Sequence, residues 1–245
     1  VPRIAIASAL AALPLDEDLP ALHAALDAAG LQHETLSWDD PTVSWQRFDA
    51  VLLRSTWDYT QRLPEFLTWC ERVSTLTRLL NPLSIVRWNT DKHYLGELAQ
   101  KGVPVIDSFY IEPGQAAEDF PDLAEFVVKP TVGAGSRDTQ RYGREERPAA
   151  IAHIRRLLDE DRAVLIQPYL SAVDTQGETA LLFFAGKFSH AIRKGPLLKR
   201  GEGPTRALFA PEHISAREPS AQEMADPSRR SRPVCRGLEG SPQLT

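Results

Sequence analysis

A lysine at the end of an apolar run, followed closely by a loop of small side chains, is a combination suited to holding phosphate. Residues 125–138 read EFVVKPTVGAGSRD. Phe126-Val127-Val128 leads to Lys129, and Pro130 lacks the N–H that a strand ladder would use next. Gly133-Ala134-Gly135-Ser136 then leaves the backbone almost bare. The lysine supplies charge, and glycine N–H groups can approach oxygen atoms closely. A strand ending in a turn, with Lys129 reaching water along its own methylene stem, accounts for the same residues.

Three other places hold groups that could do chemistry. Asn89-Thr90-Asp91 reads as the cap of a helix bearing Tyr94, Leu95 and Leu98, with Gly102 past its end. Lys92 then falls in the first turn, where a cation opposes the helix dipole by a few tenths of a kcal/mol (~0.3) but would welcome an anion. Arg54-Ser55-Thr56-Trp57-Asp58-Tyr59 follows a buried strand and combines two charges, two hydroxyls and two aromatics. It is a first substrate-site candidate; a polar loop with Trp57 tucked into the core is the other reading. Arg193 lies on a strand in which Phe188 and Ile192 point one way and Lys187, Ser189, Ala191 and Arg193 the other. An anion contact and plain solvation suit it equally.

The elements that must position these groups alternate between strand and helix. Arg3–Ser8 is a short apolar strand; Leu19, Leu22, Leu26 and Ala29 recur at helical spacing up to Gly30; Glu34–Leu36 and Asp49–Leu53 are further strands; Pro64 opens a helix with Phe66, Cys70 and Val73 on one face. This order predicts a small parallel α/β domain, in which ligands gather beyond the carboxyl ends of the strands. Leu80-Asn81-Pro82 breaks the pattern. Strands follow over Val103–Ile111, Glu125–Lys129 and Ala163–Gln167, the last halted by Pro168-Tyr169, with a helix after Pro148 carrying Ile151, Ile154 and Leu158. Glu178–Ala185 and Lys187–Arg193 form a hairpin around Gly186. Lys194–Pro211 reads as a long structureless segment, of the kind that covers a site or stays solvated. Ser220 and Glu223 announce a capping box, and from Asp226 the text turns to Pro, Ser, Arg and Gly, as in a disordered tail.

Composition narrows the classes. The 245 residues can bury a sizeable core, and a formal charge of −5 does not suggest a nucleic-acid binder. Cys70 and Cys235 lack metal spacing, which fits a cytoplasmic protein better than a disulfide framework. No apolar run approaches a membrane span, and the opening VPRIAIASALAAL reads as strand and loop rather than as a signal peptide. Its first residue, Val1, fits a trimmed or alternative start. A P-loop, a dinucleotide fingerprint (position 138 is Asp), an H-E-x-x-H motif and a G-x-S-x-G elbow are all missing. Phosphate binding through lysines and glycines is the chemical lead that remains.

Taken in order, the landmarks resemble the ATP-grasp superfamily. An α/β domain comes first, then Asn89-Thr90-Asp91-Lys92, then Val127-Val128-Lys129-Pro130 with its small-residue loop, then Ile166-Gln167-Pro168-Tyr169-Leu170, then Gly177-Glu178 and a hairpin ending in Arg193. Within the superfamily the chain is similar to the glutathione synthetase-like group. It looks closest to proteins resembling the cyclo-ligase of cycloserine biosynthesis, through RSTWDY at 54–59, RWNTDK at 87–92 and VVKPTVGAGSRDT at 127–139. The resemblance spans roughly residues 3–225 and implies four parts: a pre-ATP-grasp α/β domain over 1–85, a lid subdomain over 86–169, the start of an incomplete C-terminal subdomain over 170–225, and a tail over 226–245.

The resemblance also implies a ligase that joins a small-molecule carboxylate to an amine or similar nucleophile through an acyl phosphate made from ATP. Lys92 and Lys129 would then meet phosphates, Gly133, Gly135 and Ser136 would belong to a flap over them, and Gln167, Tyr169 and Leu170 would line the adenine pocket. Glu178 would lie near the ribose. Arg193 would stabilise the transferring group, and Arg54, Ser55, Thr56, Trp57 and Asp58 would face the substrate. Mg²⁺ is expected for the family, held by carboxylates beyond Ser220. Past the helix that begins at Ser220 only Asp226 and Glu239 occur, with no E-x-N or E-x-E pair, so no metal ligand is assigned. An out-of-frame tail on a truncated enzyme, binding nucleotide without turnover, is the alternative expectation.

Overall fold

The computed structural model describes residues 1–184, 186–199, 201, 203–204 and 213–225. They divide into two compact units. The first takes Val1–Lys92 and Val132–Arg137, and the second takes His93–Thr131 and the described residues from Asp138 onward.

In the first unit β1 (Arg3–Ser8), α1 (Leu19–Ala28), β2 (Gln32–Ser37), β3 (Ala50–Leu53), α2 (Leu63–Leu76), β4 (Arg78–Leu80) and α3 (Leu83–Asn89) follow in sequence. The strands form one parallel sheet in the order β2-β1-β3-β4. Buried Ala5, Ala7 and Val51 meet the inner face of α2, where Phe66, Trp69, Cys70 and Val73 recur at helical spacing. Trp38 and Trp45 close this core edge-on, their rings 5.3 Å from Phe66 and 5.1 Å from Trp69 respectively. Aromatics of this size bring about 1.5–3 kcal/mol each when buried. Pro64 starts α2 as expected.

The second unit holds α4 (Tyr94–Gln100), β5 (Phe109–Ile111), β6 (Glu125–Pro130), β7 (Gln140–Gly143), α5 (Arg147–Asp159), β8 (Val164–Pro168), α6 (Ala172–Gln176), β9 (Glu178–Phe184), β10 (Lys187–Lys194), β11 (Ile214–Arg217) and α7 (Ala221–Ala225). One antiparallel sheet runs β5-β8-β6-β7 and another runs β11-β10-β9. Helix α5 packs Ala150, Ile154 and Leu157 with Phe126 and Val128 of β6 and Val164 and Ile166 of β8. The capping box before α7 is formed: the Glu223 N–H donates to Ser220 Oγ (3.1 Å) and the Ser220 N–H to a Glu223 carboxylate oxygen (2.7 Å).

Several expectations are corrected. Pro130 does not stop the ladder but pairs with Val164, and the Thr131 N–H still reaches the Ala163 carbonyl at 2.9 Å. The proline is tolerated because β7 has already left at Val128, so β6 has a single neighbour at that point. Asn89 ends α3 rather than capping the next helix; Thr90 Oγ1 donates back to the Val86 carbonyl at 2.9 Å. Helix α4 starts only at Tyr94, so Lys92 precedes it and does not face its dipole from the first turn. Of Val103–Ile111 only Phe109–Ile111 is strand, since Pro104 offers no donor. β4, β7 and β11 were not expected; they are three or four residues long and exist through pairing with distant partners. In β10 a bulge between Phe188 and His190 inverts the alternation, so Phe188 shares a face with buried Ala191 and Arg193 and not with Ile192. The expected tail over 226–245, and Arg200, Glu202 and Thr205–Pro211 of the expected loop, lie outside the described residues.

Candidate functional site

In the first unit the carboxyl end of β3 delivers Arg54 to a carboxylate that sequence reasoning passed over. Arg54 donates from Nε and Nη2 to the two oxygens of Asp16, at 2.9 and 2.7 Å, and from Nη2 to Asp18 at 2.9 Å. Ser55 Oγ donates to the same Asp16 carboxylate. The Asp16 side chain is only 1% exposed. Burial alone would raise its pKa, but the bonds from Arg54 and Ser55 outweigh burial and hold it below the ordinary value. Asp58 accepts from Trp38 Nε1 at 2.9 Å and faces Arg62 at 3.4 Å. Thr56 is buried, and Trp57 packs against the first core. Five candidate substrate residues thus sit together, four of them already engaged within the unit. No spacing rule could have pointed to Asp16, because its partner lies 38 residues away.

Lys92 and the small-residue loop are brought together in the same unit. Lys92 Nζ donates to the Gly133 carbonyl at 2.8 Å. The loop turns at Gly135-Ser136, both with φ of +59°, and closes by a bond from the Arg137 N–H to the Ala134 carbonyl at 3.2 Å. Two successive positive φ values explain a glycine here, and make Ser136 the strained member.

The second unit carries the remaining candidates. Lys129 pairs with Leu165 in the middle of the antiparallel sheet. Burial lowers its pKa, and the nearby Glu178 carboxylate partly offsets this. Gln167, buried on β8, donates from Nε2 to Ser108 Oγ at 2.9 Å. Leu170 is 49% exposed just past the strand. Arg193 donates from Nε to the Gln176 carbonyl (2.6 Å) and from Nη2 to Thr175 (3.2 Å), binding the end of α6 to β10. Gly177, between α6 and Glu178, has φ of +72° and ψ of −170°, a region open in practice to glycine alone.

Tyr169 is the most constrained of these residues. Its N–H donates to the Glu125 carbonyl at 3.0 Å and its hydroxyl to Asp174 at 2.6 Å. The Arg141 guanidinium lies over its ring, 3.5 Å from the centroid. Arg141 in turn donates to Glu125 at 2.8 Å and to both oxygens of Asp174 at 2.9 and 3.0 Å. Burial and the Asp174 bond push the Tyr169 phenol up to about 12. Arg141 and Asp174 carried no sequence signal, since they lie 33 residues apart on elements too short to show a pattern. Asp138, left-handed at φ +53°, is likewise held by Arg156 at 3.0 Å and Arg162 at 2.7 Å. Among the described residues no group of three or more His, Cys, Asp or Glu side chains is placed to hold a metal ion. None of their helices is long and apolar enough to cross a membrane.

Comparison with known proteins follows the same lines. Residues 4–81 match the family described as the N-terminal domain of D-cycloserine synthetase DcsG. The cycloserine biosynthesis protein DcsG of Streptomyces lavendulae is 46% identical over 203 residues, 80% of this chain and 68% of that protein. The crystal structure of D-cycloserine synthetase DcsG superposes with a TM-score of 0.83 at 42% identity, covering 93% of this chain and 78% of that one. The fold alone is shared with the ATP-grasp ligase PsnB, solved with a minimal precursor, Mg and ADP (TM-score 0.54, 17% identity, 93% and 79% covered). With 46% identity to DcsG over 80% of its length, the chain belongs to the DcsG-like proteins and has the ATP-grasp fold.

Proposed function

We propose that the chain is a cytoplasmic ligase that uses ATP to activate a small-molecule carboxylate and couples it to an amine or similar nucleophile, in another molecule or in the same one with ring closure. The observation that carries this reading is Lys129: a lysine whose charge is disfavoured by burial, on a central strand, beside Glu178. A polyphosphate would restore the charged form that burial penalises. Lys92 would leave the Gly133 carbonyl to meet the phosphates, and Gly133, Gly135 and Ser136 would close over them. Gln167, Tyr169 and Leu170 would take the adenine, with the exposed Leu170 side chain against its face, and Glu178 would meet the ribose.

The substrate carboxylate attacks the γ-phosphorus, the bridging P–O bond to the β-phosphate breaks, and ADP leaves. The nucleophile's nitrogen then adds to the acyl carbon, the C–O bond to phosphate breaks, and the nitrogen gives up its proton. Positioning and charge neutralisation account for most of the catalysis of such a transfer. Arg193 would stabilise the phosphoryl group in transit, and Arg54, Ser55, Thr56, Trp57 and Asp58 would orient the carboxylate substrate. Mg²⁺ would add neutralisation across the β- and γ-phosphates, but the described residues offer no set of donors that fits it, and no step is assigned to it. That same observation favours a second reading, nucleotide binding without turnover.

Titration of the purified chain with ATP, with and without Mg²⁺, tests the proposal, together with ADP release in the presence of candidate amino acids. The expected result is saturable binding lost in Lys129→Met, and ADP release that needs a carboxylate. Binding without release under every condition would select the second reading; no binding at all would overturn both.

A further inference from the structure

Arg141, Tyr169 and Asp174 form a closed triangle. Arg141 covers the Tyr169 ring and holds Asp174 by both carboxylate oxygens, and the Tyr169 hydroxyl donates to that same Asp174. Glu125 ties the triangle to β6 twice, its side chain accepting from Arg141 and its carbonyl from the Tyr169 N–H. Every polar group of the Tyr169 side chain and its own N–H are thus spoken for. Asp174 lies in α6, so the short segment from Pro168 to Ala172 is fixed at both ends by one guanidinium. Arg141 also reaches the Leu198 carbonyl at 3.4 Å, which links the segment after β10 to the same anchor. The Arg141 side chain is 9% exposed, too enclosed to be a solvated surface charge.

The geometry points to Arg141 as a positioning residue for nucleotide-base recognition: it touches no ligand itself, but fixes the Tyr169-Leu170 edge against which a purine would lie. This rests on the proposed ATP reading. A rigid edge discriminates between bases because its backbone donors and acceptors cannot shift to suit the wrong one. The rest of the nucleotide would not sense the change, since the phosphate-directed residues Lys92 and Lys129 take no part in the triangle.

The test compares binding of ATP, GTP and inorganic triphosphate to the wild-type chain and to Arg141→Met and Arg141→Lys. The expected result for Arg141→Met is ATP affinity weakened about tenfold or more, with triphosphate affinity unchanged and the preference for ATP over GTP reduced. Arg141→Lys keeps the charge but can neither cover the ring nor hold both Asp174 oxygens, and should fall between the two. If turnover is measurable, the KM for ATP rises while kcat and the KM for the carboxylate stay. A general loss of structure would instead weaken triphosphate binding as well, and would overturn the inference, as would unchanged ATP affinity and base preference in both variants. Should Arg141→Met fail to give a cooperative thermal transition, Arg141→Lys carries the comparison alone. Absence of ATP binding by the wild-type chain would refute the ATP reading itself, a result distinct from either of these.

Discussion

Gly177→Ala should be among the most damaging small substitutions in the chain. The residue sits at φ +72° and ψ −170°, where a non-glycine residue costs about 1–3 kcal/mol of backbone strain. An added Cβ would also lie 2.5 Å from the Lys194 carbonyl oxygen and 2.9 Å from Arg193 Nε. Neither neighbour can retreat cheaply. Lys194 is paired with Glu178 at the end of the β9–β10 ladder, and Arg193 Nε is bonded to the Gln176 carbonyl. Strain and clash together give a loss of about 3–4 kcal/mol, more than two orders of magnitude in the folding equilibrium of this region. Gly186→Ala is the control: φ is +76° there too, but an added Cβ meets nothing within 4 Å, so only about 1–2 kcal/mol of conformational cost remains. Urea denaturation of both variants, with hydrogen exchange followed over residues 177–194, measures the difference. If Gly177→Ala is no less stable than Gly186→Ala, the close approach of β10 to this turn is not what the residue serves, and the reasoning fails.

Two further outcomes follow from buried ionisable groups. Asp16→Asn keeps an acceptor for Ser55 but removes the charge that Arg54 grips; because Arg54 is partly open to solvent and retains Asp18, the expected loss is about 1–2 kcal/mol at neutral pH. Since the folded pKa of Asp16 lies below its unfolded value of 3.8, the stabilisation is present above that value and vanishes as pH falls through the folded pKa, so wild type and variant should converge in strong acid in a thermal-melt series. His153 works in the opposite chemical sense. Burial pulls its pKa from 6.5 down to about 4, its Nδ1 lies 3.0 Å from the Tyr142 hydroxyl, and its Nε2 is buried without a hydrogen-bond partner. Protonation therefore favours the unfolded chain, and stability should decline by about 3 kcal/mol between pH 6.5 and pH 4. His153→Phe should flatten that decline; a denaturation midpoint with the same acid slope in both proteins would contradict the assignment.

Much of the fold was legible in the residues because it rests on local signals. The apolar run of β1, the spacing of Phe66, Cys70 and Val73 behind Pro64, the hairpin at Gly186 and the Ser220–Glu223 box all depend on neighbours within a few positions, where periodicity and capping are informative. The order of the lysine, glycine and Gln167–Leu170 stretches likewise carried the likeness to the ATP-grasp fold. The elements that went unread share the opposite property. β4, β7 and β11 are too short to carry a pattern and exist because β3, β6 and β10 offer them a ladder. Pro130 remains in a strand because β7 has ended beside it.

At the candidate site the division is sharper. The sequence by itself determined which groups are available: Lys92, Lys129, the Gly-Ala-Gly-Ser loop, the Tyr169-Leu170 edge and Arg193. Only the tertiary structure decided how each is held. It alone joins Arg54 to Asp16 across 38 positions, Lys92 to Gly133 across 41, and Arg141 to Asp174 across 33. Charge partners chosen at such distances are set by sheet register and helix placement, and these minimise the cost of burying each ion; no spacing along the chain encodes them.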